Sequence, residues 1–97
     1  MKVEYTNRAI ADLRKISAES KAAFGQSVAT ALEERIRTAI NHISQRPGFA
    51  PRVIELPGVR VFPLIRYTYK IFYRVLDDAV RILQFRHTSR RPWAGRR

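Results

Sequence analysis

The side chains with the most chemical potential crowd into one stretch, "YKIFYRVLDDAVRILQFRHTSRRPW", from Tyr69 to Trp93. Arginine interrupts an apolar run at Arg74, Arg81 and Arg86, and Arg90 and Arg91 follow a lone histidine, His87. Imidazole titrates near neutrality without any help from its surroundings. Guanidinium is planar, permanently charged and suited to bidentate contact with carboxylate or phosphate. The charge is uneven along the chain: residues 46–97 carry twelve Lys/Arg against three Asp/Glu, or +9 of the total +11. Fifteen of the nineteen cations are arginine, whereas a tail that serves only solubility is more often lysine-rich. The expected partner is therefore an anion: nucleic acid, an acidic protein segment, or both.

Other chemistries drop out. There is no cysteine, which removes disulfides, thiolate catalysis and cysteine-ligated metals. His42 and His87 lie far apart without metal-ligand spacing, so neither a metal site nor a cofactor is expected. The start "MKVEYTNRAI" has no apolar run long enough for a signal peptide, and no later stretch is long enough to span a membrane. A cytoplasmic location is expected.

The elements that must hold these residues follow from periodicity. "KVEYT" alternates, with Val3 and Tyr5 on one side, and reads as a short strand. Thr6 or Asn7 can cap a helix whose apolar face is Ala9, Leu13 and Ile16. "SAES" breaks that pattern, and Ser20 can cap a second helix; Gly25 weakens its first turn, so the helix can equally start after it. Its stripe is Phe24, Val28, Leu32, Ile36, Ala39 or Ile40, and Ile43, of which Phe24, Val28, Leu32, Ile36 and Ile40 are expected to be buried with Leu13 and Ile16. Pro47 and Gly48 end it. From Arg52 the period becomes two: "VIEL" reads as a short strand, Pro57–Gly58 as a turn, then "VRVFPLI", "YTYKIFYRVL", a turn at Asp77–Asp78, and "AVRILQFRH". Pro63 has no amide hydrogen, which confines its strand to an edge or a bulge. Tyr69, Ile71, Tyr73 and Val75 share one face of the central strand; Lys70, Phe72, Arg74 and Leu76 share the other, which is partly apolar and partly cationic. The expected fold is α+β in two layers: an N-terminal strand and a helical hairpin packed on one face of a C-terminal antiparallel sheet. One domain covers residues 1–88, and residues 89–97 form a basic tail.

With the elements in this order, "EYTNRAIADLRKI", "ISQRPG", "GVRVFPL" and "YKIFYRVLDDAVRILQFRHTSRRPW" resemble the RelE/ParE superfamily of bacterial toxins over nearly the whole chain. The pieces that carry the resemblance are "AIADL" in the first helix, "VR" before the central strand, the "YKIFYRV" strand, and "HTSR" after the last strand. The resemblance implies a toxin of a type II toxin–antitoxin pair, held inactive by the acidic C-terminal segment of an antitoxin that wraps it. It also implies one of two targets. RelE-like members cut messenger RNA on the ribosome; ParE-like members poison DNA gyrase and have no established cleavage site.

Cleavage by attack of a ribose 2′-hydroxyl needs a base, an acid and cations on the phosphate. On that branch the sequence offers His87, Tyr67, Tyr69, Tyr73 and Glu55 for proton transfer, and arginines, Arg60 and Arg81 among them, for the phosphate; the resemblance adds only that RelE-like nucleases tend to carry a His or Tyr where His87 ends the last strand. On either branch Arg66, Arg74, Arg86, Arg90, Arg91 and Trp93 are expected to bind antitoxin or target. Two departures turn the reading toward ParE: Lys70 is the single lysine of residues 46–97, and the chain continues past His87. A non-toxic basic module that binds protein or nucleic acid is the third reading. Each residue also has a plainer use. His87 can bond to backbone at a strand end, and Tyr69 and Tyr73 are better placed to pack across strands than to stack on bases. Arg74 and Arg81 can pair with Asp77 and Asp78, but exposed pairs contribute only about 0–1 kcal/mol and leave the arginine excess unexplained. Trp93 can anchor a partner or fold back over the core.

Overall fold

The computed structural model describes residues 1–64 and 67–88. The chain runs β1 (Lys2–Tyr5), α1 (Asn7–Phe24), α2 (Gln26–Gln45), β2 (Val59–Pro63), β3 (Tyr69–Val75) and β4 (Ala79–His87). The sheet order is β1-β4-β3-β2. The three C-terminal strands are antiparallel, and β1 joins beside β4 in parallel, so the four-stranded sheet is mixed.

Both helices lie on one face of the sheet. Val3, Phe62, Tyr69, Ile71, Tyr73, Val80, Ile82 and Phe85 meet Ala9, Leu13, Ile16, Leu32, Ile36, Ile40 and Ile43 in one core. Pro63 closes the edge strand β2, where its missing N–H breaks no ladder between strands.

Three expectations need correction. "SAES" does not end the first helix: Ser20 is buried inside α1, which runs on to Phe24. The break falls at Gly25, whose φ of +91° a side chain rarely adopts and which separates the two helices. The long stripe is not buried throughout. Phe24 is 70% exposed and Val28 40%, because they sit at the hairpin tip, beyond the turns of both helices that face the sheet. "VIEL" is not a strand. Only Arg52 bridges to Arg60, and residues 53–59 fold into turns closed by Leu56 N–H to the Val53 carbonyl and Val59 N–H to the Leu56 carbonyl. The Val53 and Leu56 carbonyls are engaged within these turns rather than in a ladder with another strand.

β4 outlasts β1, whose pairing ends at Tyr5 opposite Ile82. Beyond that point the exposed backbone of β4 is met by side chains of the α1 region. The Thr6 hydroxyl donates to the Leu83 carbonyl (2.7 Å) and accepts from the Ala9 N–H as the helix cap (3.0 Å). The Asp12 carboxylate accepts from the Phe85 N–H (3.0 Å) and from Arg8 (3.0 Å). One helix end thus finishes a sheet edge that β1 is too short to cover.

Candidate functional site

β4 contains a bulge. Gln84 faces Phe72 and Ile82 faces Tyr73, which leaves Leu83 as an extra residue. Arg81 and His87, six residues apart, would share a face of a regular strand. The bulge reverses the alternation, so His87 lies on the helix side and Arg81 on the other. Six residues also separate them by roughly 15–20 Å along the strand.

His87 ends β4 opposite Tyr69, and the two rings meet edge to face at 5.3 Å. Its Nε2 lies 2.7 Å from the Thr68 hydroxyl. A small polar cavity of about 100 Å³ adjoins it, with Arg8, Asp12, Lys15 and Glu19 of α1 on the opposite wall. Arg81 pairs with Glu4 of β1, at 3.0 Å, and not with the Asp77–Asp78 turn. Asp78 pairs instead with Lys2, and Arg74 donates to the Pro57 carbonyl at 3.1 Å. Arg60 is on the helix side beside Tyr73 and donates to the Ala50 carbonyl at 2.6 Å. The structure therefore does not bring His87, Arg60 and Arg81 together. Arg86 lies directly opposite Lys70, and Arg74 opposite Arg81, both pairs on the face away from the helices. Arg66, Arg90, Arg91 and Trp93 lie outside the described residues.

Tyr73 belongs to the core: its ring is fully buried and its hydroxyl donates to the Pro47 carbonyl at 2.7 Å. Burial pushes this hydroxyl above its usual pKa, while the Arg60 charge and the Ala50 backbone pull it down. Burial raises the Tyr5 hydroxyl likewise.

A larger feature is apolar. A groove of about 390 Å³ runs along the helical hairpin, walled by Tyr5, Leu13, Ile36 and Ile40, with Arg14 and Arg37 at its margins. Ser17 of α1 donates to Glu33 of α2 across it. Sequence reasoning missed this groove because it placed Leu13 in the core and read Tyr5 only as one side of a strand. It also missed the Glu4–Arg81 pair, although the alternation of β1 does turn Glu4 away from Val3. Among the described residues no three His, Asp or Glu side chains gather as a metal site, and no helix is long and apolar enough to cross a membrane.

Comparison with known proteins bears on this arrangement. Residues 3–92 match the family model described as the ParE toxin of type II toxin–antitoxin systems, parDE. The chain belongs to the ParE toxin family of type II toxin–antitoxin systems. A solved structure of the chromosomal ParDE toxin–antitoxin system from P. aeruginosa is 27% identical, with a TM-score of 0.78 over 90% of this chain and 95% of that one. The isolated E. coli RelE toxin shares the fold at 17% identity and a TM-score of 0.66, covering 93% of this chain and 86% of that one. The E. coli RelBE toxin–antitoxin complex matches equally well, at 17% identity and 0.66 over 93% of this chain and 98% of that one. No curated protein sequence matches the chain. The ParE family and the RelE/ParE fold are thus those the sequence resembles.

Proposed function

We propose that this ParE-family toxin acts in the cytoplasm on DNA gyrase and is neutralised by a cognate antitoxin whose acidic segment lies in the hairpin groove. The observation that carries the gyrase reading is the dispersal of the cleavage groups. Proton transfer and phosphate stabilisation act on atoms a few ångströms apart. Here His87 is separated from Arg81 by the bulge, Arg81 is engaged with Glu4, and Arg60 holds the Ala50 carbonyl. A docking toxin needs no such convergence. The groove supports the antitoxin reading, because an apolar trough edged by Arg14 and Arg37 suits an amphipathic acidic segment that orders on binding.

The test is purified protein assayed for inhibition of gyrase supercoiling and, separately, for messenger RNA cleavage on programmed ribosomes. Inhibition of supercoiling without cleavage is expected. His87→Ala should change toxicity little, while truncation after Thr88, which removes Arg90, Arg91 and Trp93, should abolish most of it. Circular dichroism must show both variants folded. Cleavage on ribosomes, lost in His87→Ala and reduced in Arg60→Ala and Arg81→Ala, would move the assignment to a ribosome-dependent nuclease. Proton-transfer groups typically contribute 10²–10⁴-fold, so that loss would be plain.

A further inference from the structure

On the other flank of α2 lies a second apolar pocket. It holds about 380 Å³ and is walled by His42, Phe49, Phe62, Pro51 and Pro63, with Arg35 at its margin. The His42 and Phe49 rings stack at 4.4 Å with 11° between their planes, and Phe62 meets both edge-on, at 5.9 and 5.2 Å. This cluster is not hidden: Phe49 is 46% exposed. Scattered exposed apolar residues are ordinary, but three packed rings beside two prolines form a contiguous patch, and such patches mark interaction sites.

The patch is also held rigid. Phe49 belongs to an irregular loop, yet the loop is fixed from below at both ends: the buried Tyr73 hydroxyl holds the Pro47 carbonyl, and Arg60 holds the Ala50 carbonyl. A pocket whose walls are set in advance loses less freedom when it is filled. The charge around it is positive. Arg46 and Arg52 flank Phe49 three residues away on either side, and Arg35 stands at the margin.

The position identifies the occupant. The hairpin groove uses Leu32, Glu33, Ile36, Arg37 and Ile40 of α2; this pocket uses Arg35, Thr38, Ala39 and His42 of the same helix. Between these flanks runs the exposed surface of α2, with Glu34, Arg37, Thr38 and Asn41. An α-helix with its side chains is about 10–12 Å across, so the arc over its outer surface is roughly 16–19 Å, which five or six extended residues span. One chain lying in the groove can therefore cross α2 and reach the second pocket. Its second contact would then form at millimolar effective concentration.

We propose that the His42–Phe49–Phe62 pocket receives an aromatic or branched aliphatic side chain from an extended acidic segment of the antitoxin, as a second hold beside the hairpin groove. This rests on the antitoxin reading above. The test is isothermal titration of the full-length toxin with the full-length antitoxin encoded beside it. Phe49→Ala should weaken binding roughly 30-fold or more, as truncation of an aromatic hot-spot residue covered on binding does. Phe49→Leu should restore most of the affinity, because it keeps apolar bulk. Arg35→Glu should weaken binding most at low salt. Hydrogen exchange should show residues 47–52 protected by wild-type binding. Thermal unfolding must show each variant folded. If no antitoxin binds the wild type, the antitoxin reading itself fails. If antitoxin binds but the variants match wild type and residues 47–52 stay unprotected, only the second hold fails. Variants that lose toxicity at unchanged antitoxin affinity would overturn it too, by giving the pocket to the target.

Discussion

Tyr73 illustrates how much one side chain can settle. Its position in "YKIFYRV" is compatible with a packing residue or a proton-transfer group, and its burial decides for packing. The hydroxyl then has a structural task, holding the Pro47 carbonyl after α2 ends. Tyr73→Phe leaves that carbonyl without its donor and should lower stability by about 1–2 kcal/mol, read from urea unfolding. The pH dependence has a definite sign. Burial raises the hydroxyl pKa in the folded state above the ordinary value of 10.0, so the folded protein holds this proton more tightly than the unfolded chain. The stability from this group is complete below pH 10 and is lost as pH rises toward and through the folded value. Melting temperatures compared between pH 8 and pH 11 should therefore fall more for wild type than for Tyr73→Phe. Equal slopes would mean that the burial has no energetic weight.

The two helices and the β2–β3–β4 meander were legible from period alone; the Asp77–Asp78 turn falls where expected and α2 starts after Gly25, one of the two starts the sequence allowed, but α1 runs past its expected end at residues 17–20. What escaped was decided by tertiary contacts. Ser20 looks like a cap, but burial against its neighbours keeps it helical. The stripe through Phe24 and Val28 has helical spacing with nothing to cover it, and spacing does not report what lies opposite. The candidate site was less legible still. His87 and Arg81 look coplanar in sequence, and only the extra Leu83 parts them. The turns make a further prediction. Gly25 and Gly58 both have positive φ, at +91° and +81°. An added Cβ meets nothing within 4 Å at Gly25, whereas at Gly58 it would come 2.5 Å from Nη1 of Arg74. Gly25→Ala should therefore cost about 1–3 kcal/mol, because φ +91° with ψ 172° is a conformation that essentially only glycine adopts. At Gly58 the clash falls on the free end of a flexible side chain, so beyond the backbone strain Gly58→Ala should cost only the exposed Arg74–Pro57 hydrogen bond, about 0.5–1.5 kcal/mol. Urea unfolding curves of the two variants check these losses, and a Gly58→Ala loss well above backbone strain plus one exposed bond would show that Arg74 is held in place.

Across the whole molecule the +11 charge must be tolerated before any partner arrives. Among the described residues Lys70 faces Arg86 and Arg74 faces Arg81 directly across two strands, and like charges so placed destabilise a sheet. Moderate salt should therefore raise the melting temperature of the isolated toxin while it weakens the antitoxin complex. Opposite trends in the two measurements are the expected outcome; parallel trends would mean that charge does not govern the association. The Thr6 hydroxyl adds a temporal consequence. It bonds at once to Ala9, three residues on, and to Leu83, seventy-seven residues on. The helical hairpin and the meander can each form from near neighbours, but β1 has no strand to join until residues 79–82 are in place. β1 is thus made before the strand it joins, and it docks only after the hairpin and meander have formed. Thr6→Ala should accordingly speed unfolding while leaving the refolding rate nearly unchanged, the kinetic mark of a contact made after the barrier.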